Sequence, residues 1–292
     1  MTKVPFAWFG GKSRLIPWIL PILNQYPHKK YIEPFGGSGA ILLAKEPRFD
    51  VYNDLNEHVV NFYRVLQDKR KFKELIRLVA LTPYSRKNFA DSIKRVGTEK
   101  NPVNLAAIWY CIARQSFGGK GGAEYRRAGW GIAKNETLET PSGHCISGIV
   151  RRWLNSIDKF PEIHERLKTV QIESLDAIDL MRRYACEDTL FYLDPPYVNE
   201  TRKEGKYRYE CDDEFHRNLV DAMLSVTGHK VLSGYESDIY LPLLDSGYEM
   251  KIKEVQCQVA GRAAKSKNLP KERLKRTECL YCSPLPKDQL LF

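Results

Sequence analysis

No apolar run in these 292 residues approaches the roughly 20 needed to cross a bilayer, so no membrane partner is expected. The opening residues, Met1-Thr2-Lys3-Val4-Pro5, lack the apolar core of a secretion signal, and a cytoplasmic location is the expectation. Low-complexity tracts and internal repeats are also missing. With 43% hydrophobic and 28% charged residues, the chain reads as a globular protein. Paired cysteine spacing is scarce as well. The seven cysteines are an odd number, scattered, and Cys111, Cys257 and Cys279 sit in apolar runs, as buried free thiols do. Cys279-x-x-Cys282 has no second Cys or His pair at zinc-ribbon distance. It reads as a final strand carrying two core thiols, and no metal is expected.

Positive charge is abundant and unevenly placed. The net charge is +10, of which residues 83–168 carry +7 (15 Lys/Arg against 8 Asp/Glu) and residues 261–276 carry +6 (7 against 1). The remainder is mildly acidic. Two basic regions on an acidic body suggest a polyanionic partner.

Short apolar runs alternate with helical periodicity over most of the chain. Strands are expected at 31–33, 50–52, 170–172, 190–193 and 230–232, with helices at 39–45, 57–66 and 177–184. Over 212–226, Phe215, Leu219, Val220, Met223 and Leu224 fall on one helical face. The tail reads as two alternating strands, 248–258 and 277–283, joined by the basic loop. This alternation indicates an α/β protein with a mostly parallel sheet and a terminal antiparallel hairpin. Residues 83–168 break the rhythm with a helix around 105–114, the run Gly118-Gly119-Lys120-Gly121-Gly122 and a polar stretch. They are read as an inserted, mainly helical recognition domain. The catalytic domain then comprises 1–82 and 169–292.

Three segments carry chemistry. In Glu33-Pro34-Phe35-Gly36-Gly37-Ser38-Gly39 a strand gives way to a helix through glycines that let backbone approach a ligand. Asp54, which follows the next strand 18 residues after Gly36, has the spacing of an acidic side chain that reaches ribose hydroxyls. Asp176 ends a third strand, placed to accept from an adenine amine or to cap the next helix. Phe9-Gly10-Gly11-Lys12-Ser13 looks like a phosphate loop, but Phe6 stands where that motif needs glycine, and a nucleotide triphosphatase is not expected. Lys12, read at a helix start, suits a small carboxylate.

The third segment is Asp194-Pro195-Pro196-Tyr197, delivered by the apolar strand 190–193. Consecutive prolines fix the backbone and remove two donors, leaving carbonyls that accept in a fixed direction. Asp194 adds an ionised acceptor and Tyr197 a flat apolar surface. Together they suit a planar ring with an exocyclic amine. That amine is a poor nucleophile because its lone pair is delocalised. Accepting both its hydrogens, at Asp194 and at the Pro195 carbonyl, directs the lone pair outward.

These motifs, in this order, resemble the DNA adenine methylase (Dam) family of N6-adenine methyltransferases, alpha-ordered and of the phage type. The resemblance rests on Trp8-Phe9-Gly10-Gly11-Lys12, Glu33 to Gly39, Asn53-Asp54-Leu55-Asn56, Asp194 to Tyr197 and Ser233-Gly234-Tyr235. It implies a Rossmann-like S-adenosylmethionine-dependent methyltransferase fold, a mixed seven-stranded sheet flanked by helices, with an inserted DNA-recognition domain. By the same resemblance Trp8, Gly11 and Lys12 meet the methionine end of S-adenosylmethionine, and Glu33, Pro34, Phe35, Gly36 and Gly39 line it. Asp54 holds its ribose and Asp176 its adenine, while Asp194 lies beside both reactants. Asp194, Pro195, Pro196 and Tyr197 form the catalytic site, with Tyr197 stacked on a flipped base. Arg114-Gln115-Ser116-Phe117-Gly118-Gly119 is similar to the family's element near which bases are read. Candidate DNA contacts are Arg114, Phe117, Lys120, Arg126, Arg127, Arg151 and Arg152, with Arg262, Lys265 and Lys267 in the tail loop. The implied partner is double-stranded DNA, joined in some settings by a cognate restriction endonuclease, with the enzyme a monomer or weak dimer. Two alternatives stand beside this reading. One is methylation of an amine in RNA or on a protein glutamine, where Asn-Pro-Pro-Tyr motifs occur. The other is a DNA-binding protein that keeps the fold without activity.

Overall fold

The computed structural model describes residues 4–8, 10–132, 137–139, 145–198, 211–256 and 275–286. Cys257, Arg262, Lys265 and Lys267 lie outside the described residues, and Lys120 and Arg127 are described in their backbone alone.

All seven strands read from the alternation form, with ends displaced by a residue or two. In chain order the strands are β1 (Lys30–Glu33), β2 (Phe49–Asn53), β3 (Thr137–Glu139), β4 (Cys145–Ser147), β5 (Val170–Glu173), β6 (Thr189–Leu193), β7 (His229–Gly234), β8 (Glu249–Gln256) and β9 (Lys275–Cys282). The main sheet has the order β5-β2-β1-β6-β7-β9-β8, and β3 and β4 pair antiparallel by themselves. Strand order therefore reverses between β1 and β6, because the chain leaves β1 for one side of the sheet and returns later on the other. Open α/β sheets place ligands outside the carboxyl ends of the strands at such a reversal. This is a Rossmann-like, mixed seven-stranded sheet with helices between its strands.

The described residues divide into two compact units. One contains residues up to Ile22 together with Phe35–Ala177; the other contains Leu23–Pro34 and the chain from Ile178 onward. In the first, β2 and β5 pair in parallel with Asn53 opposite Glu173. The helices α3 (Glu57–Gln67), α4 (Lys69–Ala80), α5 (Arg86–Arg95), α6 (Pro102–Gln115) and α8 (Phe160–Leu167) belong to this unit. Helix α6 starts under an Asn101 cap that accepts from the amides of Val103 and Asn104, with Pro102 in the first turn. Its Trp109 and Tyr110 are fully buried. Phe62 of α3 stacks on Tyr110 at 5.2 Å and meets Phe160 of α8 edge-on at 5.9 Å. Residues 83–168 thus share an aromatic core with α3. Part of their positive charge is internal too: Arg166 pairs with the buried Asp50 at 2.5 Å, and Asp50 also meets Lys45 at 3.8 Å.

In the second unit β1, β6 and β7 run parallel, and β9 pairs antiparallel with β7 and β8. Every residue of β6 is buried, which accounts for its unbroken apolar sequence. Cys279 and Cys282 are free and buried on β9, as expected of core thiols. Helix α10 (Asp213–Ser225) corrects one expectation. It buries His216, Leu219, Val220 and Met223, spaced at the helical period, and Ala222, while Leu224 is 42% exposed and Phe215 is only half-buried. Hydrophobicity alone misplaced that face, because the packed residue at its start is a histidine.

Among the described residues no helix is long and apolar enough to cross a membrane.

Candidate active site

In the first unit the glycine turn after β1 is made by close approach. A Cβ at Gly36 would lie 2.2 Å from Tyr52 Cε2, and one at Gly37 (φ +49°) would lie 2.7 Å from Trp8 Nε1. The turn's polar groups are engaged from several directions. Tyr52 donates its hydroxyl to the Gly37 carbonyl at 2.7 Å, and Tyr63 donates to the Ser38 carbonyl at 2.6 Å. The Gly36 amide donates to the Asn53 carbonyl at 2.7 Å. Gly39 (φ +60°) then opens the short helix α2 (Ala40–Ala44). We expect Gly36→Ala to cost about 2 kcal/mol by overpacking the buried Tyr52 ring. The loss would be read as a lower urea midpoint with an unchanged slope.

Asp54 stands just past β2 and is half-buried. Its Oδ2 accepts from the Gly37 amide and its Oδ1 from the Asn56 amide, both at 2.8 Å. Although part of its surface is exposed, the surrounding protein pushes the carboxyl up to about 6 by burial, opposed by those two amide bonds. A carboxylate offers about four acceptor positions. Two amides therefore leave lone pairs for a further pair of donors, such as a ribose diol. Asn53 clamps the neighbouring strand end, donating to the Leu175 carbonyl at 3.0 Å and accepting from its amide at 2.8 Å. This places exposed Asp176 directly after the clamp and before α9 (Ala177–Arg183).

Trp8 lies between Gly37 and Gly122, where a Cβ on Gly122 would be 3.2 Å from the indole. Gly11 folds back in a tight turn, its amide on the Trp8 carbonyl at 3.1 Å. Lys12 is 5% exposed and donates to the Gly10 carbonyl at 3.0 Å. It is not at a helix start as expected: α1 (Ile16–Leu23) begins four residues later, and Lys12 belongs to the preceding turn. Its cation is therefore offered by a loop and does not depend on a helix terminus.

In the second unit β1 and β6 end side by side. Glu33, at the end of β1, is buried and accepts from the Tyr31 hydroxyl at 2.7 Å. Pro34 is buried and Phe35, the first residue of the other unit, is half-buried. Asp194 follows β6 half-buried, then Pro195 buried. The carbonyl of Pro196 accepts from His216 Nε2 at 3.1 Å, and His216 Nδ1 accepts from the Tyr240 hydroxyl at 2.9 Å. Because a carbonyl only accepts, Nε2 carries a proton, and in the neutral ring Nδ1 is the acceptor. The Nε2 bond also occupies one lone pair of the Pro196 carbonyl. Tyr197 is half-buried, its ring edge-on to Tyr235 at 4.5 Å. Its hydroxyl bonds to Glu278 Oε2 at 2.7 Å and to Ser233 Oγ at 3.1 Å. Burial first, then the charges of Asp194 and Glu278, push its phenol well above the ordinary tyrosine value.

The expected DNA contacts are less concentrated. Phe117 is 57% exposed, with Gly118 and Gly119 beside it at positive φ. Arg126 and Arg152 are exposed and Arg151 is half-buried. Arg114 spends one guanidinium nitrogen on the Arg152 carbonyl at 2.8 Å, which joins α6 to α7 (Gly148–Leu154). Lys120 and Arg127 lie in 3-10 turns at Phe117–Gly122 and Tyr125–Arg127. Among the described residues no group of three His, Cys, Asp or Glu side chains is placed to hold a metal ion.

Tyr52, Tyr63, His216 and Glu278 were not anticipated. Only His216 left a trace, as the polar member of an apolar helical stripe; Glu278 looks like an ordinary outward residue of an alternating strand.

Comparison with known proteins adds the following. The model for the D12 class N6 adenine-specific DNA methyltransferase family matches residues 8–107 and 134–260. The chain is 38% identical over 222 residues to the Type II methyltransferase M1.LlaDCHI of Lactococcus lactis subsp. cremoris, covering 70% of each. It is 25% identical over 277 residues to the Type II methyltransferase M.MjaIII of Methanocaldococcus jannaschii, covering 86% of this chain and 91% of that protein. Among solved structures, SMU.472, a putative methyltransferase complexed with SAH, aligns with a TM-score of 0.36 at 12% identity, over 94% of this chain and 53% of that one.

Proposed function

Because the chain belongs to the D12 class of N6 adenine-specific DNA methyltransferases, we propose that it moves a methyl group from S-adenosylmethionine to the exocyclic amine of an adenine turned out of duplex DNA. The observation that carries this is the tetrapeptide after β6, at the reversal of strand order. Within it the Asp194 carboxylate and the Pro195 carbonyl are the acceptors for the amine's two hydrogens, and His216 on the Pro196 carbonyl holds the segment's course.

The residues of the first unit fit the cofactor. A glycine turn that admits no Cβ, a carboxylate with spare lone pairs and a buried lysine match an adenosine and an amino-acid carboxylate. When bound, S-adenosylmethionine supplies an electrophilic sulfonium methyl. Lys12 takes the methionine carboxylate beside Trp8 and Gly11, and Glu33, Pro34, Phe35, Gly36 and Gly39 shape the wall. Asp54 accepts from the ribose and Asp176 from the adenine amine. Asp194 and Pro195 orient the target lone pair, and Pro196 and Tyr197 hold the extruded base, whose extrusion costs a few kcal/mol. The methylated amine is acidic enough to lose its proton without a metal or a strong base.

Residues 83–168 serve target recognition and residues 1–82 and 169–292 catalysis. Arg126, Arg151 and Arg152, with the tail-loop cations, meet phosphates while Phe117 approaches the bases. If about four phosphates are contacted, DNA affinity should fall roughly 100-fold between 50 and 200 mM salt. A flat titration would remove the basic regions from the interface. The enzyme acts in the cytoplasm as a monomer or weak dimer, and relatives named Type II methyltransferases support a restriction endonuclease as companion.

The test is expression in a host free of DNA methylation, followed by modified-base sequencing of its genome. N6-methyladenine in one sequence context is expected. Labelled-methyl transfer to RNA or protein but not to DNA would overturn the proposal.

A further inference from the structure

A stacking role for Tyr197 uses its ring and leaves its hydroxyl without a task, yet that hydroxyl is held by two partners. It donates to Glu278 Oε2 at 2.7 Å, so the Ser233 hydroxyl, 3.1 Å away, donates to it in turn. The tertiary register builds this arrangement. On β9 Leu280 stands opposite Ser233 of β7, and strand alternation puts Glu278, two residues earlier, on the same face. Tyr235, just past the end of β7, sets its ring edge-on to that of Tyr197 at 4.5 Å and 71°. The backbone leading into Tyr197 is held as well, through the Pro196 carbonyl on His216. The phenolic oxygen lies on the ring's own rotation axis, so holding it sets χ1. A phenol hydrogen-bonds in the plane of its ring, so the directions of Glu278 and Ser233, with the Tyr235 edge, set the rotation about that axis.

We propose that Glu278 is a positioning residue for this reaction: by accepting the Tyr197 hydroxyl it fixes the plane of the ring on which the target adenine rests. That plane decides whether the amine meets Asp194 and Pro195 squarely. The inference rests on the methyltransferase reading above. It assigns a reason for tyrosine, rather than any aromatic, at position 197. It also gives the terminal hairpin a part in the site, because Glu278 reaches Tyr197 only when β9 is paired with β7.

The test is a double-mutant cycle measured as kcat at saturating cofactor and DNA, on a duplex carrying the mapped site. Glu278→Ala and Tyr197→Phe should each lower kcat about 10- to 100-fold, the scale of a misplaced reacting group. Cofactor affinity, titrated at equilibrium, should move less than about twofold, because neither residue is among its proposed ligands. The double variant should be no slower than the worse single, since both remove one contact. Glu278→Gln, which keeps an accepting oxygen, should recover most of the loss. Multiplying losses, a full-speed Glu278→Ala, or a Glu278→Gln as slow as the alanine would each overturn the role. If Glu278→Ala fails to fold, Tyr197→Phe with and without Glu278→Gln completes the cycle, and the two should be equally slow. A wild-type protein inactive on DNA would instead defeat the functional reading, so the two failures are distinguishable.

Discussion

Asp194→Ala is expected to leave the protein folded and bound to DNA while methyl transfer nearly stops. Asp194 follows β6 and is only half-buried, so truncation opens no sealed cavity and should cost little stability. Its proposed work is electrostatic: a fixed negative oxygen accepts from an amine that becomes positive as the new bond forms. One preorganised interaction of that kind is worth about 100- to 1,000-fold in rate. Single-turnover transfer of labelled methyl should therefore slow by about that factor, while DNA affinity by fluorescence anisotropy stays within about twofold. Equal rates for variant and wild type would remove Asp194 from the reaction.

Asp54→Asn should act on cofactor binding and on its pH dependence. A neutral amide has one accepting oxygen where the carboxylate has two, and the Gly37 and Asn56 amides already claim both of those. Loss of charged hydrogen bonds to a ribose diol predicts about 10- to 100-fold weaker binding. Burial has raised the free carboxyl to about 6. A ligand that donates to it binds the ionised form, so affinity is retained above pH 6 and lost as pH falls below. Between pH 7 and pH 5 wild-type affinity should drop about tenfold, and the asparagine variant should show little of that dependence. The same shift has the opposite consequence for folding. An acid raised from its usual value stabilises the folded state below that value, and loses the contribution as pH rises through about 6. At neutral pH ionised Asp54 is thus a strained ligand group, supported by two amides. Calorimetric titration of the cofactor across that range is the measurement. A wild-type affinity independent of pH would detach Asp54 from the ribose.

The chemistry was legible because it is written locally. Asp194-Pro195-Pro196-Tyr197 carries its own conformational restriction in two prolines, and the strand that delivers it is apolar because it is buried on both faces. Gly36, Gly37 and Gly39 signal close approach by themselves, and Asp54 has a spacing that one strand–helix–strand unit enforces. The seven strands followed from alternation for the same reason: each is a property of a few adjacent residues. Lys12 shows where that logic stops. It was placed at a helix start from its neighbours, but α1 begins only at Ile16, with Pro17 in its first turn.

What only the tertiary structure decided are contacts between distant residues. The course of the two prolines depends on His216, which holds the Pro196 carbonyl from a helix 20 residues later. The plane of Tyr197 depends on Glu278, 81 residues away, through a strand register that no local pattern states. The partners that make the glycine turn close, Trp8 and Tyr52, belong to a different loop and a different strand. The sequence by itself determined the reacting groups, because their kinds and order are covalent facts. The fold decided their orientation, since a direction in space is set by the packing and pairing of elements remote in the chain.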